Sequence, residues 1–166
     1  MSALESVLFS REALEAEGFC GWVPFSALRQ SGVPSGPGVY VVHDASRNEP
    51  AFLEASPAGW FKGKNPSVDV ESLRANWVAE AEIVYIGKAN NLRRRLFQFA
   101  DFGVGKPIGH WGGRIIWQLA GSSLLLVAWR ETPDDDPRAV EAGLIAQFRR
   151  VFGKAPFAND PHRRGR

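Results

Sequence analysis

Ile83-Val84-Tyr85-Ile86-Gly87-Lys88-Ala89-Asn90-Asn91-Leu92-Arg93-Arg94-Arg95-Leu96 is the stretch whose reading decides the architecture. The β-branched and aromatic run Ile83–Ile86 predicts a strand ended by Gly87. Both faces of that strand are apolar, so both require a cover. A short helix is expected over Asn91–Phe99, with Leu92, Leu96 and Phe99 as its apolar stripe. On a helical wheel Arg93 and Arg94 point away from the stripe, toward solvent or phosphate, while Arg95 lies at its border. Lys88 occupies the turn between strand and helix. A strand end, a lysine, a helix start and an inward-leaning arginine together describe a compact anion site. Singly, each of these features also arises from ordinary packing and solvated charge.

Outward from this unit, Gly38-Val39-Tyr40-Val41-Val42 predicts another strand. A strand pair is expected at Arg114–Leu119 and Leu124–Trp129, around the turn residues Gly121-Ser122-Ser123. Residues 3–17 predict an amphipathic helix with an acidic outer face, stopped near Gly18. Residues 18–37 read as an irregular lead-in with a turn of helix at Ser26–Gln30. A short strand at Ala51–Glu54, a short helix over residues 69–77 and a glycine-rich loop at 101–113 complete the middle of the chain. Asp136 is a good N-cap with Pro137 at the first helical position, and the last helix runs through Phe152 to Gly153. The expected organisation is one domain: a helix and lead-in over 1–37, the main body over 38–159, and a basic tail over 160–166.

The 166 residues suit a single domain with a real core, and 45% hydrophobic with 23% charged residues argues against general disorder. The single cysteine, Cys20, excludes a disulfide framework and a multi-cysteine zinc site. No apolar run approaches the ~20 residues of a membrane span, and the N-terminus does not read as a secretory signal. No membrane partner and a cytoplasmic location are therefore expected. The net charge of +2 hides an asymmetry: residues 1–82 carry 6 Lys/Arg and 11 Asp/Glu, whereas residues 83–166 carry 14 and 7. Fifteen of the twenty cations are arginine, the side chain suited to bidentate phosphate contacts. A polyanionic partner and a merely solvated basic face both fit that balance.

Glu141 sits one turn into the last helix, at helical spacing from Leu144, Ile145, Phe148 and Phe152. A carboxylate facing a core is costly unless a cation, a metal or hydrogen bonds compensate it. The alternative is a carboxylate at the end of the stripe that reaches water or an arginine. The chain has only two tyrosines, Tyr40 and Tyr85, each on an expected strand among apolar neighbours. Lys88 and Arg95 would lower the pKa of a nearby phenol, although two core tyrosines with satisfied hydroxyls would read the same way.

Gly38-Val39-Tyr40, Tyr85-Ile86-Gly87, Lys88, Arg95, Glu141 and Pro156-Phe157-Ala158-Asn159 together resemble the GIY-YIG nuclease superfamily. The run VYIGKANNLRRRL looks especially like the N-terminal nuclease domain of the excision-repair endonuclease subunit that makes the first incision. The resemblance covers residues 38–43 and 83–159, with gaps. It implies an α+β fold with a small three-stranded antiparallel sheet flanked by helices, and a DNA endonuclease needing one divalent cation, Mg²⁺ or Mn²⁺. Carried over by position, Tyr40 and Tyr85 match the motif tyrosines, one of them a general base, and the proximity of Lys88 favours Tyr85. Arg95 matches the arginine on the scissile phosphate, Glu141 the metal-binding carboxylate, Lys88 the lysine after the second triplet, and Asn159 an asparagine that hydrogen-bonds a tyrosine or braces the site.

The chain departs from the family pattern in three respects. Forty-four residues separate Tyr40 from Tyr85, so residues 44–81 are an insertion. It carries Phe52, Trp60, Phe61 and Trp77 and could read substrate, bind a protein partner or only add packing. Glu141 and Asn159 are 18 residues apart, a longer spacing than in the repair subunit. No separate DNA-binding domain is evident, which leaves specificity open. His110 and Arg114, in the run His110-Trp111-Gly112-Gly113-Arg114, suit contact with nucleic acid, and His110 also suits proton transfer. DNA is the expected partner, with RNA also compatible. The competing readings are a catalytically weak or inactive nucleic-acid-binding module of the same fold, and a structural or interaction domain.

Overall fold

The computed structural model describes residues 7–46 and 49–159. The basic tail and the start of the expected first helix lie outside the described residues. In chain order the elements are α1 (Arg11–Ala16), β1 (Cys20–Pro24), β2 (Gly38–His43), α2 (Val70–Asn76), β3 (Ile83–Ala89), α3 (Leu92–Gly103), β4 (Leu126–Glu131) and α4 (Pro137–Phe152). Short 3-10 helices lie at Val7–Phe9, Phe25–Gln30, Trp111–Gln118 and Ser122–Leu124.

The fold is α+β, but the sheet has four strands rather than three. Its order is β1-β4-β2-β3, and every pairing is antiparallel. The additional strand, β1, comes from the segment read as irregular. Gly21 (φ 103°) and Trp22 (φ 57°) both have left-handed backbones, and the register with β4 shifts between Gly21 and Val23. That irregularity destroys the period-two alternation by which a strand is recognised. A second correction concerns Arg114–Leu119. Trp111–Gln118 is a 3-10 helix, and Ile115 and Ile116 are both buried in the same core. A strand would send such adjacent side chains to opposite faces.

Residues opposite one another across the ladder share a face. Tyr40, Val42, Tyr85, Val127 and Trp129 look toward α3 and the 3-10 segments at Phe25–Gln30 and Trp111–Gln118. Leu92, Leu96 and Phe99 of α3 are fully buried there, matching the expected stripe. Burial of each is worth about 1.5–3 kcal/mol. Val39, Val41, Ile83, Ile86 and Ala128 look the other way, toward Phe9, Leu14, Leu144 and Phe148. Sandwiched between these two cores, β2 is buried along its whole length.

The insertion folds back onto the first core. Phe52 stacks on Phe157 with centroids 5.6 Å apart, and Trp77 meets the same ring edge-on at 5.1 Å. Gln118, fully buried, accepts from the Val68 N–H at 2.7 Å and donates to the carbonyls of Leu53 (3.0 Å) and Val68 (2.8 Å). Two aromatic side chains and one amide thus tie residues 52–77 to the body. Ala51–Glu54 forms only an isolated bridge, Phe52 to Leu119. Among the described residues no helix is long and apolar enough to cross a membrane.

Candidate active site

β2 and β3 run antiparallel, so Tyr40 stands opposite Gly87 and Val42 opposite Tyr85. The two tyrosines therefore share a face, with ring centroids 6.0 Å apart. Glycine at position 87 is a packing requirement. A Cβ there would fall on the Tyr40 ring, 2.6 Å from its hydroxyl oxygen. Gly38 is equally constrained, since a Cβ there would meet Leu92 Cδ1 at 2.6 Å. The glycines of both motif triplets thus let an aromatic ring and the first turn of α3 approach the sheet.

A cleft of about 560 Å³ opens at this end of the sheet. Tyr40, Tyr85, Lys88, Arg95, Glu141 and Asn159 all line it, so side chains spread over 120 residues converge. Two further cations complete the wall: Arg138 and Arg149, on the same face of α4 as Glu141. They precede and follow Glu141 by 3 and 8 residues. Helical spacing from Glu141 was the signal that would have found them. Lys88, Arg95, Arg138 and Arg149 stand against the single carboxylate of Glu141, so the cleft suits an anion.

Glu141 is half-buried. Burial raises its pKa above the usual carboxylate value, opposed in part by Lys88 and Arg138. Among the described residues no cluster of three or more His, Cys, Asp or Glu side chains occurs. One partly desolvated carboxylate, with room for water, fits a hard divalent cation that keeps most of its hydration shell, and does not fit zinc.

Arg95 is held in place by its own loop. Nη1 donates to the Gly109 carbonyl at 2.6 Å and to Gln98 Oε1 at 3.3 Å. The neighbouring residue, His110, is fully buried and places Nε2 2.7 Å from the Tyr40 hydroxyl. The Phe99 ring stacks on the imidazole at 3.8 Å and fixes its plane. His110 is therefore not displayed for contact with a ligand, and its geometry is that of a proton partner for Tyr40. Burial pushes the Tyr40 phenol well above its ordinary pKa, Tyr85 adds to the rise, and Arg95 only partly opposes it. The lowering expected from the cations is outweighed by desolvation.

Asn159 braces the sheet edge rather than a tyrosine. β3 is an edge strand, so one side of Ile86 lacks a strand partner. The Asn159 side chain accepts from the Ile86 N–H (3.0 Å) and donates to the Ile86 carbonyl (2.8 Å). The Ala158 N–H donates to the Val84 carbonyl at 2.8 Å. The long spacing from Glu141 is absorbed by the turn that returns the chain from α4 to β3.

Three other expectations concern the α3 start and the arginines. The helix N-terminus is already satisfied: Leu92 N–H donates to Gly36, Arg93 N–H to Pro34, and Arg94 N–H to the Asn91 side chain. Anion recognition therefore falls on side chains and not on the free amides of a helix start. Arg93 and Arg94 are exposed outside the cleft lining, and Arg93 Nε donates to the Val33 carbonyl at 2.8 Å. Arg114 also lies outside the lining, with its guanidinium 5.0 Å from the Trp111 ring centroid.

The chain matches no family model, no curated protein and no solved structure. The functional reading therefore rests on the geometry of the cleft and on the motif resemblance.

Proposed function

We propose that this protein is a divalent-metal-dependent endonuclease that hydrolyses DNA phosphodiester bonds in the cleft between β3, α3 and α4. The observation that carries the reading is the convergence of two tyrosines, Arg95, Lys88 and Glu141 on one cationic cleft. Phosphodiester hydrolysis needs an activated water, neutralised phosphate charge and a stabilised leaving oxygen.

Each requirement has a candidate. With His110 neutral and Nε2 unprotonated, the Tyr40 phenol donates to it across 2.7 Å. Tyr40 can then take the proton of the attacking water while passing its own proton to His110. No free phenolate accumulates, which suits a hydroxyl whose ionisation burial opposes. This relay favours Tyr40 over Tyr85 as the base. Tyr85, beside it, orients the water. The Arg95 fork grips the non-bridging phosphate oxygens, with Lys88 adding positive charge. Glu141 would hold Mg²⁺ or Mn²⁺, which would supply Lewis-acid stabilisation of the leaving oxygen. Arg138 and Arg149, about 16 Å apart along α4, flank Glu141 and suit neighbouring phosphates.

The test is nicking of supercoiled plasmid. Wild-type protein is expected to convert supercoiled to open-circular DNA with Mg²⁺ or Mn²⁺ and not with EDTA, while Arg95→Ala is inactive. No cleavage of DNA or RNA with either metal between about pH 6 and 9 would sink the reading. The burial of Tyr40 then favours the second one, a nucleic-acid-binding module of this fold without turnover.

A further inference from the structure

The insertion is acidic except at one place. From Asp44 to Ala81 it carries six carboxylates and four cations, yet between Glu54 and Asp69 the only charged residues are Lys62 and Lys64. These two belong to a tight hairpin, Phe61-Lys62-Gly63-Lys64, closed by a bridge between its ends and by the Lys64 N–H on the Phe61 carbonyl at 3.0 Å. Lys62 (φ 52°) and Gly63 (φ 73°) are both left-handed, as a type I′ turn demands. Asparagine is the favoured residue at the first of these positions, and lysine there carries a conformational cost. The hairpin thus holds a strained lysine at its tip. Trp60, immediately before it, leaves 58% of its surface in water, whereas Phe52 and Trp77 of the same insertion are packed inward.

This hairpin abuts the catalytic loop. The Phe61 ring lies against Gly109, where an added Cβ would approach it to 2.9 Å. Gly109 is the residue whose carbonyl holds Arg95, and His110 follows it. The Gly59 N–H donates to the Phe102 carbonyl at 2.9 Å, anchoring the hairpin base to the end of α3. Lys106, exposed in the adjoining loop, is ion-paired with Asp101 at 3.6 Å, which leaves Lys62 and Lys64 as the cations of the hairpin itself.

We propose that Trp60, Lys62 and Lys64 form a docking element for an unpaired nucleic-acid segment that runs outward from the cleft. A base stacks on the Trp60 ring, and the two lysines track the adjoining phosphates. An exposed indole beside cations is a sequence-tolerant stacking platform, and it needs a base free of its partner strand. Paired bases offer no face to such a ring, so the element selects single-stranded or frayed substrate over blunt duplex. The proposal rests on the nuclease reading only for what happens at the scissile phosphate. The docking element itself is tested by binding alone.

The experiment is fluorescence anisotropy with a labelled 12-nucleotide single strand and the corresponding blunt duplex, using the full chain in EDTA. Trp60→Ala is expected to weaken single-strand binding about ten-fold, within the range that one stacked base supports. Trp60→Phe keeps most of that affinity but loses the tryptophan quenching that accompanies binding. Lys62→Asn with Lys64→Gln lowers the salt slope by about 1.4, the value for two phosphates of a single strand. Duplex affinity is unchanged in all three variants. Since the substituted side chains are exposed, thermal unfolding of Trp60→Ala and Trp60→Phe should be unaltered, and Lys62→Asn, which relieves the left-handed lysine, should not lower the midpoint. Wild-type single-strand affinity in Trp60→Ala, or an equal loss on duplex, overturns the proposal. Plasmid nicking separates the two claims. A failed nuclease reading shows no nicking but retains the Trp60-dependent binding, and a failed docking element shows nicking with Trp60-independent binding.

Discussion

The Tyr40 hydroxyl and His110 Nε2 lie 2.7 Å apart in the buried floor of the cleft, joining the first strand of the motif to a loop 70 residues downstream. The imidazole is oriented by the Phe99 ring and its loop is anchored to Arg95, so Tyr40 and Arg95 share one support.

If His110 accepts the Tyr40 proton, His110→Gln should keep a hydrogen-bond partner for the phenol and lose the proton acceptor. Turnover in plasmid nicking should fall about 10²–10⁴-fold, with DNA affinity and thermal midpoint near wild type. His110→Ala should lose the same activity and also destabilise the fold by roughly 1–3 kcal/mol, through an unsatisfied buried hydroxyl. Retained turnover in His110→Gln would exclude the relay.

Glu141 has its folded-state pKa raised by burial. The sign follows from linkage. Below the unfolded value near 4.5 the protonated carboxyl contributes its full stability, and that contribution is lost as pH rises through the folded pKa. Glu141→Gln should therefore raise the thermal midpoint at pH 7, with the difference from wild type closing as pH falls below about 4.5. Added Mg²⁺ should raise the midpoint of wild type and not of the variant. A lower midpoint in Glu141→Gln at neutral pH would contradict this account.

His43 presents the opposite sign. Burial lowers its pKa, with Glu82, 3.6 Å away, pulling upward, Arg11 adding to the fall and Asp44 opposing it. The unfolded chain therefore binds a proton more readily than the folded one. Stability should be full above about pH 6.5 and decline as pH falls from there. His43→Phe, still packing edge-on against Trp22, should flatten the midpoint between pH 6.5 and 5. An unchanged slope in the variant would assign the acid sensitivity elsewhere.

Gln118 carries the link between insertion and body. Gln118→Leu leaves the Val68 N–H and the Leu53 and Val68 carbonyls without their side-chain partner. A loss of about 2–4 kcal/mol in urea unfolding is expected. In hydrogen exchange, protection at Val68 should fall before that of β2. Full protection at Val68 in the variant would show that Phe52 and Trp77 suffice.

Local patterns were legible where the chain is regular. The stripe of Leu92, Leu96 and Phe99, the cap at Asp136 and the strand β2 all follow from spacing and residue type. Asp136, for instance, caps α4 through the Arg138 N–H at 3.0 Å, as its position before Pro137 and an apolar-periodic segment predicts. Strand β1 was not legible, because Gly21 and Trp22 turn left-handed and break the alternation. Nor was the 3-10 helix at Trp111–Gln118, whose β-branched content reads as a strand.

By itself the sequence determined the set of chemically able side chains: two tyrosines, a lysine and an arginine at fixed offsets, and a carboxylate at helical spacing from Leu144, Ile145, Phe148 and Phe152. Residue type and local spacing suffice for that, since both act within a few turns of chain. The tertiary structure alone decided that Tyr40 pairs with His110, that Asn159 serves the edge of β3, that the α3 start is closed to anions, and that Arg138 and Arg149 join the cleft. Those outcomes depend on which distant backbone groups are left unpaired and which rings pack together, and both are properties of the assembled sheet and its two cores.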